Sequence, residues 1–443
     1  MANDPSTPPD RFRPVPTGRL ARLGAFGRLA GSLTTSVIAE GGRQIATGQR
    51  PRLGELVLTP GNAANIADRL SHMRGAALKL GQMISMDAGD LLPPELATIL
   101  SRMRDQAYRM PPQQLNAVLK AEWGADWRRR FLQFDATPIA AASIGQVHRA
   151  TLPDGRMLAI KVQYPGVADS IGADVDNVAT LLRMSRLLPP NVDLAPLLAE
   201  AKRQLTDEAD YRREGEQMRQ YGRRLTGDDR YAVPDLVEEF TTGRVLAMSF
   251  LEGRPIETLA EADQATRDRA MTALVTLVLR ELFEFGVMQT DPNFANYRWQ
   301  ADSGRLVLLD FGATRPVDPP TVAAYRRLIE TGLARELNAI REVAVETGFL
   351  GAEAAAAHRP AVDRIIAAID AALNRPGPFD FGDRAFVPVV REEAKAMIAD
   401  RSTWHVPHVE TLFVQRKVSG TALLAARLKA RVDIRGLAAE AIA

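Results

Sequence analysis

The chain has 443 residues, of which 46% are apolar and 25% are charged, the proportions of a soluble globular protein with a large core. Its net charge of +2 gives no electrostatic argument for binding nucleic acid, and we expect no nucleic-acid partner. The lack of cysteine excludes disulfides, thiol catalysis and cysteine-ligated metals. No apolar run is long enough to span a bilayer, so we expect a cytoplasmic protein whose membrane contact is peripheral.

Two segments precede the first predicted domain. Residues 1–17 are rich in Pro, Asp, Ser and Thr and predict a disordered tail. In residues 18–52, arginines alternate with apolar residues, which predicts a basic amphipathic helix in the first half of the segment. Three interpretations remain open: a helix on an anionic membrane surface, an arm that is solvated or packed on the body, or a mitochondrial transit peptide.

Residues 53–134 predict a helical extension. Within it, residues 62–86 carry apolar side chains at the period of a helix. Lys79 and Gln82 share one face of this helix, and Gly81 permits the close approach of another backbone. Taken alone, the pattern is also that of a surface lysine and glutamine beside a packing glycine.

A hairpin and a lysine-bearing strand follow. Residues 143–150 and 157–163 predict strands that flank the turn Pro153-Asp154-Gly155. The second strand ends in Leu158-Ala-Ile-Lys161, and a lysine buried on a strand needs an anionic partner. ATP phosphates and a helix-borne glutamate are the partners that such a lysine has in kinases.

An alanine-rich stretch stands where a kinase has its glycine-rich phosphate loop. It consists of Ala140, Ala141, Ala142 and Ser143, and each residue carries a Cβ that restricts φ. Gly145 alone keeps the freedom of glycine. We expect this loop to bind nucleotide in a different and stiffer way.

An acidic helix is predicted over residues 194–222. It carries Glu208, Asp210 and Glu214, and the last two stand at i,i+4 and share a face. We assign Glu214 to Lys161, with Glu208 as the rival partner. The segment after the helix predicts one more strand, and the hinge that follows it would bind adenine. The candidates for this contact are Met248, Phe250 and Leu251.

The catalytic and metal candidates lie further along the chain. Asp291 precedes Asn296 by five residues, and Asp310 opens an Asp-Phe-Gly turn after a short strand pair. In a phosphoryl-transfer site of this kind, one carboxylate meets the attacking oxygen. An amide and a second carboxylate hold Mg²⁺ on the ATP phosphates. We therefore expect Asp291 to be catalytic, with Lys161 and Glu214, and Asn296 and Asp310 to bind the metal.

In this order the motifs resemble those of the UbiB family of atypical kinases, kinase-like ATPases associated with coenzyme Q (ubiquinone) biosynthesis. The resemblance covers roughly residues 55–330 by motif. It is carried by Lys79-Leu-Gly-Gln82, Ala140-Ala-Ala-Ser143, Glu208-Ala-Asp210, and Asp291, Asn296 and Asp310.

The resemblance implies an α+β, bilobal, protein-kinase-like fold whose N-terminal helical extension covers the active site. The N-lobe with inserted helices would span residues 135–253, and a mostly helical C-lobe would span residues 254–443. Five residues would regulate the site by bringing the helix of the extension against the acidic helix: Lys79, Gly81, Gln82, Glu208 and Asp210.

It also implies ATP and Mg²⁺ as cofactors, and a role in ubiquinone biosynthesis through ATP hydrolysis or phosphoryl transfer to a small molecule or lipid. Expected partners are a quinone-precursor lipid or a membrane surface, and other ubiquinone-biosynthesis proteins. Two alternatives are a nucleotide-binding pseudokinase scaffold and a protein kinase. The missing glycine-rich loop disfavours the protein kinase, and the retained Lys161, Asp291, Asn296 and Asp310 disfavour the pseudokinase.

Overall fold

The computed structural model describes residues 109–185, 195–400, 403 and 409–443. The predicted tail, the basic amphipathic segment and the Lys79–Gln82 motif lie outside these residues. The described residues form two units. Unit 1 contains residues 109–185, 195–215 and 236–250, and unit 2 contains residues 216–235, 251–400, 403 and 409–443. The sequence analysis above assigns residues 216–235 to the N-lobe, whereas the contacts of these residues group them with unit 2. The predicted domain boundaries stay a prediction.

The strands are β1 Gln133–Phe134, β2 Ala140–Ala141, β3 Gly145–Thr151, β4 Met157–Gln163, β5 Tyr231–Ala232, β6 Val245–Ser249, β7 Arg254–Pro255, β8 Val287–Gln289, β9 Tyr297–Gln300, β10 Arg305–Leu308, β11 Thr314–Pro316, β12 Phe379–Asp380 and β13 Arg431–Val432. The α-helices are α1 Pro112–Trp123, α2 Val167–Ser185, α3 Ala195–Glu208, α4 Tyr211–Arg224, α5 Gln264–Arg280, α6 Pro319–Ala334, α7 Leu337–Glu346, α8 Ala352–Ala357, α9 Arg359–Leu373, α10 Val387–Ala399, α11 Val409–Leu428 and α12 Ile434–Ile442.

Unit 1 is built on an antiparallel sheet with the strand order β1-β3-β4-β6, and β2 lies beside β3. The β3–β4 hairpin closes at the predicted turn, where Gly155 has a φ of +88° that favours glycine. Asp154 stabilises this turn by accepting a hydrogen bond from the Arg156 N–H at 3.0 Å. The predicted hairpin is therefore present.

An aromatic cluster packs on one end of this sheet. The guanidinium of Arg130 lies 4.1 Å from the centre of the Phe240 ring, a cation–π contact. The ring centres of neighbouring members are 4.8 to 6.2 Å apart. The members are Trp123, Trp127, Phe131, Phe134 and Phe240. The cluster ties the α1 segment to the residues just before β6.

Unit 2 combines short sheets with helices. One sheet has the order β5-β10-β9-β7, and the other strands form the pairs β8–β11 and β12–β13. Asp263 caps the start of helix α5, and its carboxylate accepts from the Thr266 N–H at 2.8 Å. The helix ends in a π-helical turn, Glu281–Phe285, which Gly286 terminates with a φ of +61°. A π-turn of this kind often marks a functional site.

The single helix predicted over 194–222 is wrong, because the structure has two helices, α3 and α4. Asp210 is the residue at the break. Its side chain accepts from the N–H groups of Arg212 and Arg213, at 3.0 and 3.2 Å. An aspartate in this position satisfies backbone donors that the start of a helix leaves without partners. Asp210 therefore caps the helix that carries Glu214 and does not extend its face.

A buried histidine lies in the sheet of unit 1. His148 is fully buried, and its Nδ1 donates to the carbonyl of Asp135 at 2.8 Å. With that nitrogen protonated, Nε2 accepts from the Gln146 side-chain amide at 2.8 Å. A second proton on the ring would have to sit on Nε2, which already accepts a hydrogen bond. Burial accordingly lowers the pKa of His148 to about 4.

We predict that unit 1 loses stability in mild acid because of His148. Its pKa is depressed from the ordinary value of about 6.5, so the unfolded chain binds the proton first. The stabilisation is present above the unfolded pKa and is lost as the pH falls toward the folded pKa. Between pH 7 and pH 5 the free energy of unfolding should fall by about 2 kcal/mol from this group.

Urea unfolding at these two pH values, followed by tryptophan fluorescence, measures the change. His148→Gln removes the titrating ring and is the control. Equal pH dependence in the wild-type protein and in this variant would contradict the prediction.

Candidate functional site

The strand lysine of unit 1 forms a buried ion pair. Lys161 Nζ donates to both carboxylate oxygens of Glu214, at 2.8 and 3.0 Å. The two side chains are only 8% and 1% exposed. The partner is the glutamate that the sequence assigned to Lys161. Glu208, the rival, is also buried, and there it accepts from Gln204 Nε2 at 3.1 Å.

Tyr211, at the start of α4, joins the ion pair to the alanine-rich loop. Its ring is fully buried, with the centre 5.2 Å from Lys161 Nζ. A Cβ on Gly145 would lie 2.7 Å from the Tyr211 hydroxyl and 2.4 Å from the carbonyl oxygen of Val162. Gly145 is therefore required for this close approach. The sequence analysis missed Tyr211, since a buried tyrosine at a helix start has no local signature.

The alanine-rich loop is the edge of the unit 1 sheet. Ala140 and Ala141 form β2, are exposed, and pair with β3. Ala142 and Ser143 are half-buried in the tight return that follows, where the Ala142 N–H donates to the Gly145 carbonyl at 2.9 Å. The backbone of the loop is thus engaged in the sheet. A role of these four residues in binding nucleotide stays a prediction.

The residues assigned to adenine lie at the end of β6. Met248 is buried and pairs with Ala159 of β4. The Phe250 N–H donates to the Met157 carbonyl at 2.9 Å, and both Phe250 and Leu251 are half-buried. Their contact with adenine stays a prediction.

One side of the predicted regulatory contact, Glu208 and Asp210, lies within the described residues. Glu208 is buried at the end of α3, and Asp210 is the exposed cap of α4. The residues on the other side lie outside the described part of the chain: Lys79, Gly81 and Gln82.

In unit 2, hydrogen bonds join the two segments that carry Asp291, Asn296 and Asp310. Strand β8 precedes the first segment and pairs with β11, which follows the second. Thr290 donates from its N–H and from its Oγ1 to the carbonyl of Ala313, at 3.2 and 2.9 Å. These bonds fix the start of the first segment against the end of the second.

The backbone of Asn296 lies beside that of Leu309, the residue before Asp310. The Leu309 N–H donates to the Asn296 carbonyl at 3.0 Å. The buried Asn296 side chain donates from Nδ2 to the Asp291 carbonyl at 3.3 Å, which directs its Oδ1 the other way. Asp310 Oδ1 accepts from the Gly312 N–H at 3.0 Å and holds the Asp-Phe-Gly turn.

This donor set fits Mg²⁺ on a nucleotide. Mg²⁺ prefers oxygen ligands and is commonly held by one or two carboxylates together with substrate phosphates. Asp310 supplies a half-buried carboxylate and Asn296 an oriented amide oxygen. Their role as ligands, and that of Asp291 in catalysis, remain predictions.

A buried polar network lies beneath these segments. Glu281, in the π-helical turn, accepts from the Tyr221 hydroxyl at 2.9 Å and from the Gln289 N–H at 3.3 Å. Lys417 Nζ, from α11, lies 3.4 Å from the other Glu281 oxygen. Lys417 also donates to the Tyr297 hydroxyl at 2.9 Å and to Gln289 Oε1 at 3.3 Å.

Burial and pairing shift the pKa values of this network. Burial raises the pKa of the Glu281 carboxyl, and the charge of Lys417 opposes the rise. Burial alone would lower the pKa of Lys417, yet Glu281 and Tyr297 hold it above its ordinary value. Burial and the charge of Glu281 raise the pKa of Tyr221 well above its usual range. Burial also raises the pKa of Tyr297. At neutral pH, Lys417 is therefore charged, and Tyr221 and Tyr297 keep their protons.

This network was not predicted, since neither Glu281 nor Lys417 is among the candidate residues named from the sequence. A usable signal existed, because a charge within an otherwise apolar helix predicts a buried partner. The choice of partner had no local signal, since Lys417 lies far along the chain from Glu281.

The chain is similar to known proteins over most of its length. The ABC1 atypical kinase-like domain matches residues 102–344. The Saccharomyces cerevisiae protein named "Atypical kinase COQ8, mitochondrial" is 37% identical over 425 residues, which cover 94% of this chain and 83% of that protein. The chain belongs to the UbiB family of ABC1 atypical kinases. It is accordingly an enzyme of the kinase-like phosphotransferase or ATPase class, and its domain implies ATP as a ligand.

Other comparisons extend this result. The Danio rerio protein named "Atypical kinase COQ8B, mitochondrial" is 35% identical over 429 residues, which cover 96% of this chain and 68% of that protein. Among solved structures, the Mycobacterium tuberculosis protein Rv3197, in complex with erythromycin, has a TM-score of 0.61 and 23% identity over 93% of this chain and 98% of that one. The predicted α+β, kinase-like fold is confirmed. No helix in the described ranges is long and apolar enough to span a membrane.

We predict that the Lys161–Glu214 pair is necessary for the stability of unit 1. Lys161→Met leaves Glu214 as a buried carboxylate without its cation, and should lower the free energy of unfolding by about 3–5 kcal/mol. Adding Glu214→Gln removes the second charge and should recover most of the loss. Urea unfolding of the wild-type protein, both single variants and the double variant gives the coupling energy.

Lys202→Met is a matched control. Lys202 pairs with Asp176 at 2.7 Å on the surface, where 38% and 69% of the side chains are exposed. Loss of an exposed pair should change stability by less than about 1 kcal/mol. The prediction is contradicted if Lys161→Met costs no more than this control.

Proposed function

We propose that this chain is an atypical kinase-like ATPase that supports ubiquinone (coenzyme Q) biosynthesis. It would hydrolyse ATP with Mg²⁺, or transfer its phosphoryl group to a small molecule or lipid. The observation that carries the proposal is the bond from the Leu309 N–H to the Asn296 carbonyl, which places the segment of Asn296 beside the Asp-Phe-Gly turn that Asp310 opens. Similarity to COQ8 proteins over most of the chain supports the biosynthetic role.

The side chains would divide the work as follows. Lys161, oriented by Glu214, would contact the α- and β-phosphates. The loop Ala140–Ser143 would lie along the phosphates, and Met248, Phe250 and Leu251 would contact adenine. Asp291 would orient the attacking oxygen and accept its proton. Mg²⁺ held by Asn296 and Asp310 would neutralise charge on the phosphates.

The segment after the Asp-Phe-Gly turn favours a small acceptor. Residues 313–318 alone separate Gly312 from helix α6, and three of them form β11. Protein kinases use a longer activation segment to control access to the site. We therefore propose a small-molecule acceptor, a quinone-precursor lipid at a membrane surface, or water, rather than a protein.

Regulation is proposed through the extension of residues 53–134. Lys79, Gly81 and Gln82 would contact Glu208 and Asp210 and restrict access to the site. Other ubiquinone-biosynthesis proteins are proposed partners, and contact with the membrane would be peripheral.

Asp310→Asn tests the metal role. It replaces a carboxylate by a neutral amide and keeps the side-chain oxygen that accepts from Gly312. Mg²⁺-dependent ATP turnover should fall roughly 100-fold or more, the order of magnitude that loss of one preorganised electrostatic group produces. The measurements are phosphate release and nucleotide affinity over a Mg²⁺ titration.

The chain supplies its own control. Asp380 opens a second Asp-Phe-Gly and accepts from the Gly382 N–H at 2.8 Å, the same local turn. Asp380→Asn should leave Mg²⁺-ATP binding and turnover unchanged. Unchanged turnover and Mg²⁺ dependence in Asp310→Asn would remove Asp310 from the site. Assays with lipid vesicles, phenolic headgroup mimics and a generic protein substrate identify the acceptor, and transfer to protein alone would favour a protein kinase.

A further inference from the structure

Helix α11 contacts the segment of residues 290–296, which we call the catalytic loop, from both of its flanks. Gln289 precedes the loop and Tyr297 follows it. A single cation, Lys417 Nζ, donates to both, at 3.3 and 2.9 Å. The lysine side chain is 1% exposed, and its charge is paired with Glu281, which is 0% exposed. One side chain thus spans the base of the loop.

A second contact reaches the loop itself. Gly420 lies one turn further along α11, and a Cβ built on it would be 2.2 Å from Pro292 Cβ. Such a distance is far inside van der Waals contact, so no side chain fits there. Pro292 is buried and directly follows Asp291. The helix backbone therefore packs against the residue beside the proposed catalytic carboxylate.

The same helix also anchors the segment that follows Asp-Phe-Gly. Arg315, in β11, pairs with Glu410 of α11 at 2.9 Å, and its guanidinium lies 3.9 Å from the centre of the Phe413 ring. Phe311 of the Asp-Phe-Gly turn packs on Tyr221, with ring centres 5.0 Å apart. Tyr221 in turn donates to Glu281, the partner of Lys417. Both halves of the proposed metal site thus connect to α11.

We propose that α11 is the platform of the catalytic loop, and that Lys417 is a positioning residue that sets the distance between Gln289 and Tyr297. Lys417 acts through these two residues and touches no substrate. A loop held at both flanks and packed at Pro292 presents Asp291 and Asn296 at fixed positions. Preorganisation of this kind matters because a displacement of about 1 Å can reduce turnover roughly 100-fold.

This inference deepens the proposed function and relies on it only for the kinetic readout. The alternative is that Lys417 merely neutralises Glu281 and stabilises the fold. Removing the charges of Lys417 and Glu281 together distinguishes these two roles. The variant Lys417→Met with Glu281→Gln keeps side-chain volume, and its new amide oxygen still accepts from Tyr221 and the Gln289 N–H.

We expect the double variant to recover most of the thermal stability that Lys417→Met alone loses. At a temperature where it is fully folded, its kcat for Mg²⁺-ATP should still be reduced roughly 10- to 100-fold. Hydrogen–deuterium exchange of the peptide covering residues 288–297 should be faster than in the wild-type protein, with no nucleotide present. This exchange needs no activity, so it tests the inference even if the wild-type protein proves not to turn over ATP.

Gly420→Ala tests the second contact independently. The added methyl must displace Pro292, so exchange in the same peptide should rise and kcat should fall. Gly332→Ala is the matched control, because a Cβ on that helical glycine of α6 meets nothing within 4 Å. It should leave both readouts unchanged.

Wild-type exchange and wild-type kcat in the folded double variant would overturn the role of Lys417. The same pair of results for Gly420→Ala would overturn the packing contact. If neither variant folds, Tyr297→Phe removes a single oxygen that accepts from Lys417. It should raise exchange in residues 288–297 and lower kcat, and no change in either would reject the proposal.

Discussion

A buried lysine–glutamate pair lies within each unit, and the arrangement of the elements around each pair depends on keeping its two charges together. Removing a charge from water is costly, and only a close counter-charge with further hydrogen bonds offsets the penalty. Lys161 and Glu214 meet this requirement between a strand and a helix. Glu281 and Lys417 meet it between a π-turn and a helix far along the chain. In each case the pairing fixes elements that local structure alone would leave free to shift.

The two pairs are used differently. The Lys161–Glu214 pair holds a residue that is itself proposed to contact phosphate, so its geometry is part of the site. The Glu281–Lys417 pair is buried beneath the loop, and its remaining hydrogen bonds go to Gln289, Tyr221 and Tyr297. A fully buried charge pair resists rearrangement, because any movement separates the two charges in a region without water. It therefore provides a rigid support for the loop that carries the proposed catalytic Asp291 and the proposed metal ligand Asn296.

Local patterns in the sequence predicted the parts of the fold that short-range chemistry decides. The turn at Asp154–Gly155 predicted the β3–β4 hairpin, and the motif Leu158-Ala-Ile-Lys161 predicted the strand that ends in the lysine. The helix over 194–222 was mispredicted because the i,i+4 spacing of Asp210 and Glu214 suits a continuous helix. An aspartate can also end one helix and cap the next by accepting from backbone N–H groups, and Asp210 does so here. Lys417 and Gly420 could not be assigned to the site, because their partners lie far away in sequence. The Asp-Phe-Gly motif likewise determines only local structure. Asp310 and Asp380 each accept from the N–H of the glycine two residues later, although the two turns have unrelated surroundings.

The alanine-rich loop connects this reasoning to the proposed chemistry. A glycine-rich loop can fold over phosphates because its backbone samples φ values that other residues avoid. Here Ala140 and Ala141 instead pair with β3, and the Ala142 N–H donates to the Gly145 carbonyl in the tight turn that follows. Gly145 has no space for a side chain beneath Val162 and Tyr211, so the return cannot move without disturbing the strand that carries Lys161. The edge proposed to face the phosphates is thus coupled to Lys161 through Tyr211. It follows that nucleotide selectivity and the orientation of Lys161 should change together when this edge is altered.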